Sequence, residues 1–171
     1  TITLSGATGT GGAFKAGDTV TATWDNTAAT GDNNVDLASV LMDFSQFGGP
    51  ASVAATNSLG IWAASFVILA GNFSAVNLNV SVSATDIAGN STTTTDTANA
   101  ILDNELPIVS DVTSATTDGV YGIGTLISLR IAFSEAVLVA GSPQLLLETG
   151  SIDQVAHYFG GSGTTNLTFR Y

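Results

Sequence analysis

The sequence predicts an all-β protein built of two successive β-sandwich domains, the second of them incomplete. Three observations carry that expectation. Apolar and polar residues alternate with the period of two that marks strands with one buried face, most clearly where Val76, Leu78, Val80, Val82 and Ala84 interleave with Asn77, Asn79, Ser81 and Ser83. Clusters of Gly, Asn and Asp separate these runs, and each of those residues favours a turn. A motif also recurs at a constant offset: Gly12, Phe14 and Gly17 ahead of one strand match Gly119, Tyr121 and Gly124 ahead of another.

The same shift places Pro107 one position before Thr1, so the expected domains are residues 1–104 and 105–171. The first strand is Ile2–Leu4, and the second, Thr19–Trp24, follows the glycine turn of the repeat. Ser39–Phe44 and Ala51–Ala55 come next. Ile61–Leu69 lies in the most apolar window of the chain, interrupted by Ser65 and bounded by Gly60 and Gly71, and reads as a buried strand. Val76–Ala84 and Thr92–Leu102 complete the domain. Strands separated by polar turns in this way fit an immunoglobulin-like sandwich without its disulfide.

In the second copy the expected strands are Ile108–Val112, Leu126–Phe133, Gln144–Glu148, Gln154–Phe159 and Thr165–Tyr171, the last with Leu167, Phe169 and Tyr171 on one face. Set against the first copy by the same shift, it lacks counterparts of the late strands. No segment reads as a helix.

Composition narrows the functional classes. Charged residues make up only 10% of the chain, against roughly 25% in a typical soluble domain, so Thr, Ser, Asn and Gly must supply the polar surface. Fourteen acids against Lys15, Arg130 and Arg170 give a net charge of −11. Three cations cannot neutralise a run of phosphates, which argues against nucleic acid, and the same imbalance argues against anionic lipid. No stretch reaches the ~18 apolar residues of a membrane helix, so no membrane insertion is expected. The absence of cysteine removes disulfides, thiolate metal sites and thiol nucleophiles. Hard divalent cations are the natural counterpart of so many Asp and Asn oxygens, Ca²⁺ first among them.

Counting strands up and down the sandwich gathers acids at two poles of the first domain. Asp25, Asp32, Asn34, Asp36 and Asp86 fall at the pole nearest the chain start. Asp103, Asn104 and Glu105 fall in the linker at the other, with Asp18 nearby and Glu135 supplied from a loop of the second copy. The expected Ca²⁺ ligands are Asp25, Asp86, Asp103, Asn104, Glu105 and Glu135. For Asp86 and Asn90 the competing reading is a turn held by side-chain to backbone hydrogen bonds. Asp32-Asn33-Asn34-Val35-Asp36 has the oxygen spacing that opens an EF-hand loop, but Leu37 stands where the required glycine belongs and no helices flank it.

Catalytic constellations are thin. His157, the one histidine, sits in a strand pattern with no Ser and Asp arranged around it as a triad. Trp24 and Trp62 also fall in strand patterns, where core packing outweighs sugar stacking.

Several motifs together resemble a known family. Thr23-Trp24-Asp25-Asn26, Asp43-Phe44-Ser45-Gln46-Phe47-Gly48-Gly49, Ala84-Thr85-Asp86-Ile87-Ala88-Gly89-Asn90 and Leu102-Asp103-Asn104 resemble the immunoglobulin-like or cadherin-like tandem repeats of giant bacterial surface adhesins. Asp118-Gly119-Val120-Tyr121-Gly122-Ile123-Gly124, Phe133-Ser134-Glu135-Ala136-Val137 and Gly161-Ser162-Gly163-Thr164 resemble a second repeat type of those proteins. The resemblance implies an extracellular extender on the bacterial cell surface that binds Ca²⁺ between domains and is not an enzyme. Its expected partners are neighbouring repeats of the same or an identical chain and a surface or cell target. Two rival expectations are a subunit of a surface layer or filament assembled by strand exchange, and a carbohydrate-binding module.

Overall fold

The computed structural model describes every residue except Gly31 and Asn72. The protein is all-β, and among the described residues its helical segments are two 3₁₀ turns, Thr10–Gly12 and Ser45–Phe47. No helix of the described residues is long and apolar enough to cross a membrane. The chain divides into two compact units, Thr1–Glu105 and Leu106–Tyr171, and each has its own apolar cluster.

Among its described residues the first unit contains ten strands in chain order: β1 (Ile2–Ser5), β2 (Thr19–Asp25), β3 (Leu37–Asp43), β4 (Val53–Ala54), β5 (Thr56–Ser58), β6 (Ile61–Val67), β7 (Ala75–Leu78), β8 (Ser81–Asp86), β9 (Ser91–Thr95) and β10 (Ala100–Leu102). One sheet has the order β1-β2-β6-β5, a second the order β4-β3-β8-β9, and β7 pairs with β10 alone. The arrangement is sandwich-like because alternate residues of both larger sheets enter one core. Val20, Ala22 and Trp24 of β2 join Val40 and Met42 of β3 and Val82 and Ala84 of β8 there. Phe14 closes one end, its ring edge-on to Phe47 at 5.4 Å, and it bridges to Leu102. A large side chain fully buried in this way contributes ~1.5–3 kcal/mol, so this core dominates the stability of the unit.

Two expected strands are each two strands in the structure. Val76–Ala84 breaks at Asn79 and Val80, between β7 and β8 and just after Asn77 with its φ of +59°, and Thr92–Leu102 breaks between β9 and β10, where Asn99 adopts φ +51°. The two breaks lie side by side, so both chain segments leave the β8–β9 sheet for the β7–β10 ribbon at the same level. Asn79 Oδ1 accepts the Asn99 N–H at 3.1 Å, the Asp96 N–H donates to Val80 O at 3.0 Å, and the Val80 N–H donates to Asp96 Oδ2. Buried Leu78 and buried Val80 keep the alternation unbroken through the crossing, which is why a period-two reading runs straight across it. Ala51–Ala55 shortens to β4, and β5 lies outside every expected strand; β4 pairs with β3 and β5 with β6, so the two belong to different sheets.

The second unit is a single antiparallel sheet of β11 (Val109–Ser114), β12 (Ser128–Val137), β13 (Gln144–Leu147), β14 (Gln154–Gly160) and β15 (Thr164–Arg170), in the order β11-β12-β15-β14-β13. Only Ala156, Leu167 and Phe169 are buried in its cluster, with half-buried Leu129, Ile131, Leu145, Leu147 and Tyr158 packed on them. Glu135 is a correction: it lies within β12, not in a loop. The strand runs past Phe133 because Phe133, Glu135 and Val137 continue the inward alternation, all half-buried, with Ser134 and Ala136 exposed.

Candidate cation-binding site

At one end of the first unit, β2 finishes on Asp25 and β8 on Asp86, and the β2–β3 connection brings its acids alongside. Asp32, Asn34, Asp36, Asp86 and Asn90 line a cleft of about 620 Å³ whose apolar lining includes Trp24 and Val82. Trp24 Nε1 donates to Asp32 Oδ2 at 2.8 Å, which fixes that carboxylate over the end of the core. Buried Asn26 holds the connection from beneath, donating to Asn34 O at 2.8 Å and accepting the Asn34 N–H at 2.9 Å.

Two of the expected ligands at this end are engaged by their own turns. Asp86 Oδ1 accepts the Asn90 N–H at 2.8 Å and Oδ2 the Asn90 side-chain amide at 2.9 Å. The Asn90 side chain and N–H, aided by the N–H groups of Gly89 and Ala88, hold the Asp86 carboxyl below its ordinary range. Asp25 Oδ1 accepts the Thr27 N–H at 2.8 Å, the Thr27 hydroxyl and N–H lower its carboxyl too, and Asp25 is not among the residues lining the cleft.

The opposite end holds Asp18, at the start of β2, and Asp103 and Asn104, just after β10. Asp18 is buried and fully occupied: Thr8 donates its N–H at 2.9 Å and its hydroxyl at 2.5 Å, and Lys15 donates its N–H at 3.1 Å. Asp18 is thereby a structural clamp on the turn before β2. Asn104 is also buried. Its Nδ2 donates to Leu69 O at 2.7 Å and its N–H to Ser74 Oγ at 3.1 Å, and Ser74 Oγ in turn donates to Asp103 Oδ1 at 3.3 Å. The donation from Nδ2 turns Oδ1 the other way, and among the described residues Asn104 Oδ1 is enclosed without a hydrogen-bond partner. Glu105 is exposed, and it belongs with Asp103 and Asn104 to the first unit, whereas Glu135 belongs to the second.

Among the described residues no group of three or more His, Cys, Asp or Glu side chains converges as a metal cage. The oxygens at both ends are of mixed kind, carboxylate, amide, hydroxyl and carbonyl, the set that suits Ca²⁺ rather than Zn²⁺ or copper. His157 is exposed on β14, and Trp24 is a core residue. Buried Asp96 was not singled out from the sequence; an Asp inside a run of threonines, which are strand formers, was the available signal.

No family model, curated protein or solved structure matches this chain.

Proposed function

We propose that this chain is a spacer and adhesion repeat of a bacterial surface protein, made of tandem immunoglobulin-like domains, whose rigidity depends on Ca²⁺ and whose work is mechanical, not catalytic. The observation that carries the reading is Asn104 Oδ1, a buried acceptor with no partner among the described residues, one residue from the exposed Asp103 carboxylate. An unsatisfied buried acceptor costs about 1–3 kcal/mol, and a cation removes that cost while drawing on Asp103 and Glu105. The net charge of −11 supports the same reading, since carboxylates repel until a cation reverses the sign of the field.

Ca²⁺ takes roughly six to eight oxygens. The side chains of Asp103, Asn104, Glu105 and Ser74 supply oxygens of the right hardness at one end, and Asp32, Asp36 and Asp86 supply them at the other. Extracellular placement, neighbouring repeats and a surface or cell target belong to the same proposal. Calorimetric titration of the full chain with Ca²⁺, paired with solution scattering in Ca²⁺ and in EDTA, tests it. Binding that is lost in Asn104→Ala, with a scattering curve that changes on chelation, supports the proposal; no heat and superimposable curves sink it.

A further inference from the structure

We propose that the outward face of the second unit's sheet binds an acidic sugar, with Arg130 and Arg170 holding its carboxylate. The inference rests on the adhesion reading, whose surface or cell target it gives a chemistry, but the binding itself needs no Ca²⁺.

Strand alternation decides which residues share this face. Leu129 and Ile131 of β12, Ala156 and Tyr158 of β14 and Leu167 and Phe169 of β15 form the apolar cluster. Arg130, His157, Thr168 and Arg170 stand at intervening positions and point the other way. β12 lies between β11 and β15, and β15 between β12 and β14, so the two arginines sit on inner strands and not at an edge of the sheet. The register sets Ser128 and His157 opposite Arg170 on its two sides and Thr168 opposite Arg130. Arg130 and Arg170 are therefore diagonal neighbours, ~7–8 Å apart.

Like charges so placed repel each other, and the fold supplies no counter-charge. The ion pairs among the described residues are those of the chain amino group with Asp32 and of Lys15 with Asp18, so neither arginine is paired, although the chain carries fourteen acids. Asp111 of the adjoining β11 is set against Ala132, not against Arg130. Arg170 instead lies on the ring of Phe159, with Cζ 3.2 Å from its centroid, and its Nε is enclosed without a hydrogen-bond partner among the described residues. A guanidinium held flat on a ring is a planar fork fixed in advance, and a carboxylate meets such a fork with two parallel hydrogen bonds.

The surroundings select what carries that carboxylate. Two arginines cannot neutralise a run of phosphates, which sets aside nucleic acid and anionic lipid. Sheets capture peptides along an edge, through main-chain hydrogen bonds, whereas this face offers side chains alone. Around the arginines it presents the hydroxyls of Ser128 and Thr168, the imidazole of His157 and the Phe159 ring, 57% exposed. Polar groups beside an apolar ring suit the hydroxyls and the carbon skeleton of a sugar. A net charge of −11 repels a densely charged polymer, so the ligand is a uronic acid in an otherwise neutral glycan.

Titration of the isotope-labelled full chain in EDTA, followed by amide chemical shifts, tests the proposal. The probes are a glucuronate-terminated oligosaccharide, the same oligosaccharide ended by glucose, and acetate. The glucuronate probe should move the amides of Arg130, His157, Phe159 and Arg170, and should bind more tightly than the other two by about tenfold or more, the value of a hydrogen bond to a charged group. Arg130→Gln and Arg170→Gln should each lose about as much, in spectra that otherwise keep the dispersion of the folded chain. Arg130→Lys, which keeps the charge but not the fork, should fall between. No shifts with the glucuronate probe, equal affinity for the glucose-ended probe or for acetate, or undiminished binding by both Arg130→Gln and Arg170→Gln would overturn the proposal. With EDTA present throughout, these outcomes stand apart from failure of the Ca²⁺ reading, which the Ca²⁺ titration and scattering decide.

Discussion

Gly17 and Gly124, equivalent positions of the repeated motif, adopt φ of +85° and +89° and close the same turn. The Asp18 N–H donates to Lys15 O at 3.1 Å in one copy, and the Thr125 N–H donates to Gly122 O at 3.2 Å in the other. A repeat visible only as two glycines and an aromatic is thus a piece of backbone geometry used twice within one chain. A Cβ at either glycine would meet nothing within 4 Å, so the requirement is conformational and not steric crowding. Gly17→Ala should therefore destabilise the first unit by about 1–2 kcal/mol, while Gly17→Asn should cost less because Asn tolerates the left-handed region. Urea melts of the two variants check the order; equal losses would mean that contacts, not φ, set the cost.

Asp96 governs the place where the chain crosses between sheets. Its carboxylate accepts the N–H of fully buried Val80 with Oδ2 and the Ala98 N–H with Oδ1 at 2.6 Å. Removing the acceptor leaves a buried N–H unpaired, so Asp96→Ala should cost about 1–3 kcal/mol. Thr94→Ala, in the same segment, should change stability by less than about 0.5 kcal/mol if it behaves as an ordinary surface site. Chemical denaturation of both variants measures the difference.

Acid should act through Asp18. Burial alone would raise its carboxyl, but the Thr8 hydroxyl and N–H, the Lys15 N–H and the Lys15 ammonium at 3.7 Å outweigh it and hold it below its ordinary value of 3.8. A carboxyl lowered by folding stabilises the native state fully above its unfolded value, and that contribution is lost as pH falls through the folded value. The stability of the chain should accordingly be insensitive to Asp18 well above its unfolded value and fall below it. Asp18→Asn should flatten that acid limb and weaken the protein at neutral pH, where its amide N–H groups face donors. Melting temperature against pH for the two chains decides the matter.

The strands of the second unit were legible as five separate runs, with bounds within two residues except at the end of β12, which continues four residues past Phe133. The crossings in the first unit were not. Leu78 and Val80 both point into the core, so the pattern that reveals a strand also conceals the break at Asn79, which depends on a partner, Asn99, that is distant in sequence. The poles were legible for a different reason: β2 runs from just after Asp18 to Asp25, and strand direction alone sorts the acids between its ends. What direction does not reveal is which oxygens are already engaged. Asp18 and Asp86 share the composition of a ligand and the hydrogen bonds of a turn, whereas Asn104, with a donor anchored on Leu69 O and an idle acceptor, looks the same on paper and differs in the fold.

The dependence of thermal stability on Ca²⁺ tests the central claim most directly. A ligand held at ~100 times its dissociation constant adds about 2.7 kcal/mol to the native state. Saturating Ca²⁺ should therefore raise the melting temperature over the value in EDTA by several degrees, and Asn104→Ala together with Asp103→Asn should abolish the rise. Identical melting temperatures of the unaltered chain in Ca²⁺ and in EDTA would contradict the account.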